Sequence, residues 1–217
     1  MEVPLTALLI SPDARQDPGI TELRYPANSV VVLAGIPGAG KTTLLRRLFP
    51  ESAAVRVLDS ERIRDRWKPV LGPVPYSVWR PLMHLTYYAR VLRAIRGGGP
   101  LVVHDCATRP WARQLIGRWA RRSGLAVHLL MLDVPADVAR LGQQARARVV
   151  RPRSMATHSR RWPDLLDLAA DDPGQVVPGA ASAVILDRRQ ADLLRKITFT
   201  REPTTSAKER TGIRPSA

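Results

Sequence analysis

The apolar positions of this chain fall into short unbroken runs separated by stretches of helical period, and that alternation sets the fold class. Residues 30–34, Val-Val-Val-Leu-Ala, form a run with no polar alternation, the pattern of a strand covered on both faces of a parallel sheet. Apolar runs recur at residues 54–58, 101–104, 126–132 and 183–186, each followed by a segment of helical period. Five strands alternating with helices predict an α/β domain in which helices sandwich a parallel sheet. Between the second and third strands, an irregular stretch at residues 68–81 leads into an amphipathic helix from about 78 to 96, ended by Gly97-Gly98-Gly99-Pro100. Leu82, Leu85, Ala89, Leu92 and Ile95 share one helical face and are expected in the core. An insertion at this point sits above the carboxyl ends of the strands, where ligands bind in such folds.

The two ends of the chain lack these patterns. Residues 1–28 contain Pro4, Pro12, Pro18 and Pro26 with turn-like Ser11-Pro12-Asp13 and Asp17-Pro18-Gly19, so they read as extended pieces and turns that cover the domain without joining its core. Residues 200–217 have no apolar periodicity and are rich in Thr, Ser, Pro, Lys and Arg, which predicts a disordered tail. The domain is therefore expected at residues 29–199. With 217 residues, of which 45% are hydrophobic, one core is affordable.

Charge narrows the partners. The net charge is +15, from 34 Lys+Arg against 19 Asp+Glu, which favours phosphorylated or acidic partners. Only four of those basic residues are lysines, however, and an arginine bias of that kind is also a compositional habit of whole proteomes. The single cysteine, Cys106, excludes an intrachain disulfide framework and fits a reducing compartment. No apolar run reaches the roughly 18 residues needed to span a bilayer. The start of the chain has no basic region before its short apolar patch at residues 5–10, so no secretory signal is expected. These features predict a soluble cytoplasmic protein with no membrane partner.

The sharpest motif is Gly35-Ile36-Pro37-Gly38-Ala39-Gly40-Lys41-Thr42, which matches G-x-x-x-x-G-K-[ST] and lies between a buried strand and a helix, as the chemistry requires. Glycines let the backbone turn its amides around a phosphate, Lys41 reaches the β and γ oxygens, and Thr42 offers its hydroxyl to Mg2+. Val102-Val103-His104-Asp105 is an apolar strand ending in an acid, the Walker B form, with Asp105 as the second Mg2+ candidate. A strand-end Asp is also a common helix cap.

At Asp59-Ser60-Glu61-Arg62-Ile63-Arg64 two acids stand at i and i+2 where the second strand meets its helix. A phosphoryl-transfer enzyme needs a carboxylate to accept or orient the proton of the attacking hydroxyl, and a cation to fix an anionic acceptor. The same letters also suit Asp59 or Ser60 as a helix cap with Glu61 in the first turn.

From Arg140 to Arg161 seven arginines, Arg140, Arg146, Arg148, Arg151, Arg153, Arg160 and Arg161, occur with no acid among them. A lid closing over a polyphosphate would neutralise such crowding. A nucleic-acid groove with Trp162 stacking on a base and a solvated helix face are the other two readings. Tyr76, Trp79, His84, Tyr87, Tyr88 and Arg90 are candidates to line an acceptor pocket, and the four histidines have no metal-ligand spacing.

In these motifs the chain resembles the small P-loop kinases related to polynucleotide kinase, zeta toxin, chloramphenicol phosphotransferase and adenylylsulfate kinase, commonly described as AAA-family ATP-binding proteins. The resemblance covers most of residues 30–196 and rests on the phosphate loop, the Asp59–Arg64 block, Asp105-Cys106-Ala107-Thr108 with Arg113 after it, and the arginine-rich segment. It implies a three-layer α/β/α fold whose five parallel strands lie in the order 2-3-1-4-5, counted from the phosphate-loop strand. It also implies ATP and Mg2+ as ligands, with Gly35, Pro37, Gly38, Ala39, Gly40, Lys41, Thr42 and Thr43 around the nucleotide phosphates. The acceptor-side acid of the family corresponds to Asp59 in one alignment and Glu61 in another, with Asp59 taken first. Arg64 matches an arginine that holds a substrate phosphate, and Thr108 and Arg113 fall on the substrate side. Arg140, Arg146 and Arg148 correspond to lid cations, and Arg188 to a residue beside the adenine.

Sequence and resemblance together predict an ATP-dependent kinase that transfers the γ-phosphate to a hydroxyl acceptor, either a nucleic-acid end or a small molecule, with ATP hydrolysis as the fallback activity. The competing class is a nucleotide-dependent switch ATPase that acts through a nucleic-acid or protein partner.

Overall fold

The run at residues 30–34 lies in strand β2 (Ser29–Gly35), in which every residue is buried. Successive side chains of a strand point to opposite faces, so complete burial means that both faces of the sheet are covered. The computed structural model describes residues 19–50, 54–144 and 151–200. In it β2 is the middle strand of five, flanked by β4 (Leu101–His104) and then β3 (Arg56–Leu58) on one side, and by β5 (Ala126–Leu132) and then β6 (Ala180–Leu186) on the other. All four pairings are parallel. Counted from the phosphate-loop strand, this is the expected order 2-3-1-4-5. Leu33 is in register with His104 on one side and Leu130 on the other. The carboxyl ends of β2, β3 and β4 therefore share one edge, where Gly35, Asp59 and Asp105 leave the sheet.

Helices α1 (Lys41–Leu48), α2 (Ser60–Leu71), α3 (Tyr76–Arg96), α4 (Pro110–Arg122), α5 (Ala136–Gln144), α6 (Pro152–Asp171), α7 (Pro173–Val176) and α8 (Arg188–Leu193) connect the strands. Much of the stretch expected to be irregular at residues 68–81 is helical: α2 runs through Pro69 and α3 contains Pro81, which leaves only residues 72–75 between them. Each proline lies beyond the first turn and removes one helical hydrogen bond, so the helices run on here in spite of it.

The buried face of α3 also differs from the expected one. Trp79, Met83, Tyr87, Tyr88, Val91 and Ile95 are buried, whereas Leu82 and Leu85 are 55% and 68% exposed and Ala89 is exposed. Of the expected face, only Ile95 is fully buried. The two tyrosines win because their hydroxyls find partners at the strand ends: Tyr87 reaches the carbonyl oxygens of His104 and of Leu58, and Tyr88 donates to Asp105. A buried phenol with a satisfied hydroxyl combines large apolar area with a polar contact that leucine cannot make.

A second departure concerns the chain ends. Strand β1 (Glu22–Pro26) pairs in parallel with β7 (Lys196–Thr200), from Glu22 opposite Lys196 to Pro26 opposite Thr200. Leu23 and Tyr25 are buried, and the Tyr25 ring lies 4.9 Å from that of His128 and 6.0 Å from that of Phe199. Residues 22–26 are thus part of the core and not a cover over it. Thr200, expected to open the tail, is the last residue of β7, and residues 1–18 and 201–217 lie outside the described residues. Among the described residues no helix is long and apolar enough to cross a membrane.

Candidate active site

From the end of β2 the chain turns through Pro37-Gly38-Ala39-Gly40 into α1. Gly38 and Gly40 adopt φ +93° and +96°, which L side chains rarely take. A Cβ on Gly38 would stand 2.0 Å from the carbonyl oxygen of Ala139 in α5, so the loop packs backbone against backbone. Helix α1 starts without a side-chain cap and without an acid in its first turn. An uncapped start presents amides and the positive end of the helix dipole to whatever lies before it, which is how phosphates are held. Lys41 is buried and curls back over the loop, its Nζ donating to the carbonyl oxygens of Gly35 at 2.6 Å and Ile36 at 2.9 Å.

Beside this loop, Asp105 is tied to β2 by its own amide, which donates to Leu33 O at 3.1 Å. Its Oδ1 accepts from the Ala107 amide at 2.8 Å and its Oδ2 from the Tyr88 hydroxyl at 2.6 Å. The first of these bonds closes a turn in which Ala107 sits at φ +53°, an uncommon left-handed conformation for a residue with a Cβ. Burial, and after it the charge of Asp105, pushes the Tyr88 phenol well above its usual range, so it stays protonated and donates.

Asp59 caps α2. Its Oδ1 accepts from the Glu61 amide at 2.9 Å and lies 2.6 Å from Nδ1 of His104. The Asp59 side chain is buried and does not line the cleft, whereas Glu61 does, with Arg64 Nη2 3.7 Å from its carboxylate.

These groups border a cleft of about 860 Å³. It runs from Pro37, Gly38, Gly40, Lys41 and Thr42 past Glu61, His104 and Asp105 to Val74, Tyr76, Trp79 and Met83. Its charged lining comprises Lys41, Arg64, Lys68, Arg80, Arg109 and Arg151 against Glu61 and Asp105, a balance that draws anions. Two of the three histidines in this lining, His84 and His158, are uncharged at neutral pH. Burial first, then neighbouring arginines, hold His84 down to about 4. Burial first, then Arg109 and Lys41, do the same for His158.

The structure brings together at this cleft Pro37, Gly38, Gly40, Lys41, Thr42, Glu61, Arg64 and Asp105. Gly35 and Ala39 are buried beneath the loop, and Thr43 is exposed outside the cleft. Arg188 is exposed, with its Nη1 3.5 Å from where a Cβ on Gly40 would stand, so it lies beside the phosphate loop. Arg140 is exposed on α5 away from the cleft. Arg146 and Arg148 lie outside the described residues. Thr108 is buried behind the cleft wall, its Oγ1 2.7 Å from His158 Nδ1. Arg113 is half-buried beside Arg161 and does not reach the cleft. Burial also pushes the Cys106 thiol up, which makes it a poor nucleophile.

Of the α3 candidates, Tyr76, Trp79, His84, Tyr87 and Tyr88 line the cleft and Arg90 does not. Arg151 reaches the cleft from the arginine-rich segment, and Arg80, Arg109, Ser154 and His158 are cleft residues that no motif marked. Arg109 immediately precedes the proline that opens α4, a position that in retrospect places it at the strand-end edge.

Magnesium fits the donors present. Thr42 and Asp105 both line the cleft next to Lys41, and a hydroxyl plus a carboxylate is the sparse all-oxygen set that Mg2+ takes when substrate phosphates complete its shell. Among the described residues no cluster of three or more His, Cys, Asp or Glu could form an all-protein cage.

No curated protein matches the chain. Solved structures do. One is that of the PezAT chromosomal toxin–antitoxin system of Streptococcus pneumoniae, with a TM-score of 0.55, 13% identity, and coverage of 94% of this chain and 90% of that one. Another is a kinase candidate from Chloroflexus aurantiacus J-10-fl, with a TM-score of 0.53, 15% identity, and coverage of 74% and 88%. Shikimate kinase of Bacteroides thetaiotaomicron is more distant, at a TM-score of 0.40 and 18% identity over 76% and 92% of the two chains. At such identities the likeness is one of fold. The family AAA_33, described as an AAA domain, matches residues 30–167, a span that opens in β2 just before the phosphate loop and closes within α6. With the loop and the strand-end acids falling inside that span, the chain belongs to the AAA_33 family and carries a nucleotide-binding, P-loop kinase-like domain.

Proposed function

We propose that the protein transfers the γ-phosphate of ATP to a hydroxyl group of a second substrate. The observation that carries this is the continuity of the cleft: the same cavity holds the phosphate loop at one end and an aromatic-walled, cationic space at the other, with Glu61 between them. An ATPase that acted only through a partner would need no such second space.

In this reading the loop amides and Lys41 hold the nucleotide phosphates, and Arg188 lies on the side of the adenine. Thr42 and Asp105 are the residues that would hold Mg2+, which when bound neutralises phosphate charge. The acceptor oxygen forms its bond to phosphorus as the β–γ bridging bond breaks and ADP departs, and the hydroxyl proton passes to a carboxylate. Glu61 is the better placed of the two candidate acids, because it lines the cleft while Asp59 is engaged by His104 and by the start of α2. Asp59 then acts through those contacts. Arg64 stays beside Glu61 to fix the acceptor, and Arg140, Arg146 and Arg148 are the lid cations that the resemblance implies, of which Arg140 stands away from the cleft in this structure. Most of the acceleration comes from positioning and charge stabilisation.

ADP release in the presence of Mg-ATP and a mixture of hydroxyl compounds tests this reading. Release that rises with the mixture and is lost in Lys41→Ala is expected. Equal release by the wild type and Lys41→Ala would overturn it.

A further inference from the structure

In the same cleft two guanidiniums lie against one imidazole. Arg109 Nη1 lies 3.3 Å from His84 Nδ1, and Arg109 Nη2 lies 3.3 Å from His84 Nε2. Arg80 Nε lies 3.4 Å from the same Nε2. The two nitrogens of an imidazole point apart in the ring plane, so one guanidinium cannot meet both edge-on. The two equal contacts therefore set the forked end of Arg109 against the imidazole. A guanidinium carries five N–H bonds, and these two contacts use two of them, which leaves donors for a further acceptor.

His84 does not balance this charge. Burial, then Arg109 and Arg80, hold it unprotonated, so it acts as a neutral spacer between two cations. The nearby acids offset it only in part, Asp105 being among the groups that favour the charge on Arg109. Glu61 and Asp65 pair with Arg64 at 3.7 and 3.8 Å, and Asp105 has its two oxygens on Ala107 and Tyr88. Lys68 adds a further positive charge to the same lining. Partly desolvated cations at this density are costly unless an anion joins them.

We propose that Arg80 and Arg109, set around His84, form a subsite for an oxyanion on the acceptor, so that the second substrate is a hydroxyl compound carrying its own phosphate or carboxylate and not a neutral alcohol. The fork geometry of arginine suits either group, since both present paired oxygens. Tyr76, Trp79 and Met83, farther along the cleft, offer an apolar wall to the carbon skeleton. The proposal rests on the phosphotransfer reading for what happens to the acceptor, but not for the binding itself.

The test uses the full-length protein saturated with Mg2+ and a non-hydrolysable ATP analogue, so that the phosphate loop is already occupied. Inorganic phosphate and, separately, acetate are titrated and followed by NMR shifts. One saturable anion site is expected, weakened about 10-fold or more by Arg80→Gln and by Arg109→Gln, with analogue affinity unchanged. The stronger of the two probes tells phosphate from carboxylate as the acceptor's charged group. Arg109→Lys keeps the charge but loses the fork, and is expected to bind the probe more weakly while retaining the fold, which guards against a glutamine variant that fails to fold. Absence of a second anion site, or one that the substitutions leave within about twofold, overturns the proposal. If a neutral alcohol is phosphorylated with a KM that Arg80→Gln leaves unchanged, the kinase reading stands and this subsite falls. An arginine-dependent anion site with no acceptor phosphorylated would leave the subsite standing and remove the kinase reading.

Discussion

Tyr88 donates its hydroxyl hydrogen to Oδ2 of Asp105 at 2.6 Å while the Ala107 amide occupies Oδ1 at 2.8 Å. The acid at the end of β4 is therefore aimed by α3, the same helix that supplies Arg80 and His84 to the acceptor side. A carboxylate so fixed offers a metal one defined orientation, and outer partners of this kind commonly matter about 10- to 100-fold in metal affinity or activity. Tyr88→Phe is expected to raise the Mg2+ concentration for half-maximal turnover about 10-fold while leaving metal-free nucleotide binding as it is. The dependence of rate on Mg2+ checks this, and an unchanged dependence would remove the role assigned to Tyr88.

The two acids near α2 separate by substitution. Glu61→Gln is expected to slow transfer about 100- to 10,000-fold with nucleotide affinity retained, the range for loss of a general base. Asp59→Asn keeps a good helix cap and loses only its charge against His104, so its effect on transfer is expected to be the smaller. Single-turnover rates on both variants decide the matter, and the reverse order would move the proton acceptor to Asp59.

The phosphate loop has little steric tolerance. A Cβ on Gly38 would meet the Ala139 carbonyl at 2.0 Å in a backbone region hostile to side chains. Gly38→Ala is expected to lower stability by about 1–3 kcal/mol and to weaken nucleotide binding, as read by thermal unfolding with and without ATP. A variant as stable and as tight as the parent would contradict this packing.

Acid should loosen the fold through its buried histidines. His128 lies between β2 and β6, its Nδ1 2.8 Å from Ser182 Oγ and its ring against Tyr25, and burial lowers its pKa from the usual 6.5 to about 4. Because the folded value lies below the unfolded one, the unfolded chain takes up protons first. Stability is full above about pH 6.5 and is lost as the pH falls toward 4. His84 and His158 act in the same direction. Tm is expected to drop between pH 6.5 and 5, with a shallower slope in His128→Gln. A parent Tm independent of pH across that window would contradict the burial of these rings as neutral groups.

Legibility in the sequence follows the range of the interactions involved. The phosphate loop could be read because its backbone geometry demands glycine at fixed spacing, and Gly38 and Gly40 do take left-handed angles. The five-strand sheet could be read because β2 is buried on both faces and so shows an unbroken apolar run. Strand β1 was hidden by Pro26 at its end and by a partner, β7, at the other end of the chain, so neither strand announces itself locally. On α3 the apolar face drawn through Leu82 and Leu85 was about 140° out at 3.6 residues per turn, because Tyr87 and Tyr88 are held by hydrogen bonds to strand ends that no helical period encodes. Arg80 and Arg109 lie 29 positions apart among 34 basic residues, and only the crossing of α3 over the edge of the sheet brings them to one imidazole.

The central claim is that the γ-phosphate moves to an acceptor and not to water. Following γ-labelled ATP into oligonucleotide 5′-hydroxyl ends, nucleosides, nucleoside monophosphates, hydroxy acids and neutral alcohols, with Lys41→Ala as the blank, tests it most directly. The account predicts label in an organic phosphoester, formed one for one with ADP and absent from the blank. Label found solely as free inorganic phosphate, whatever the acceptor, would contradict it.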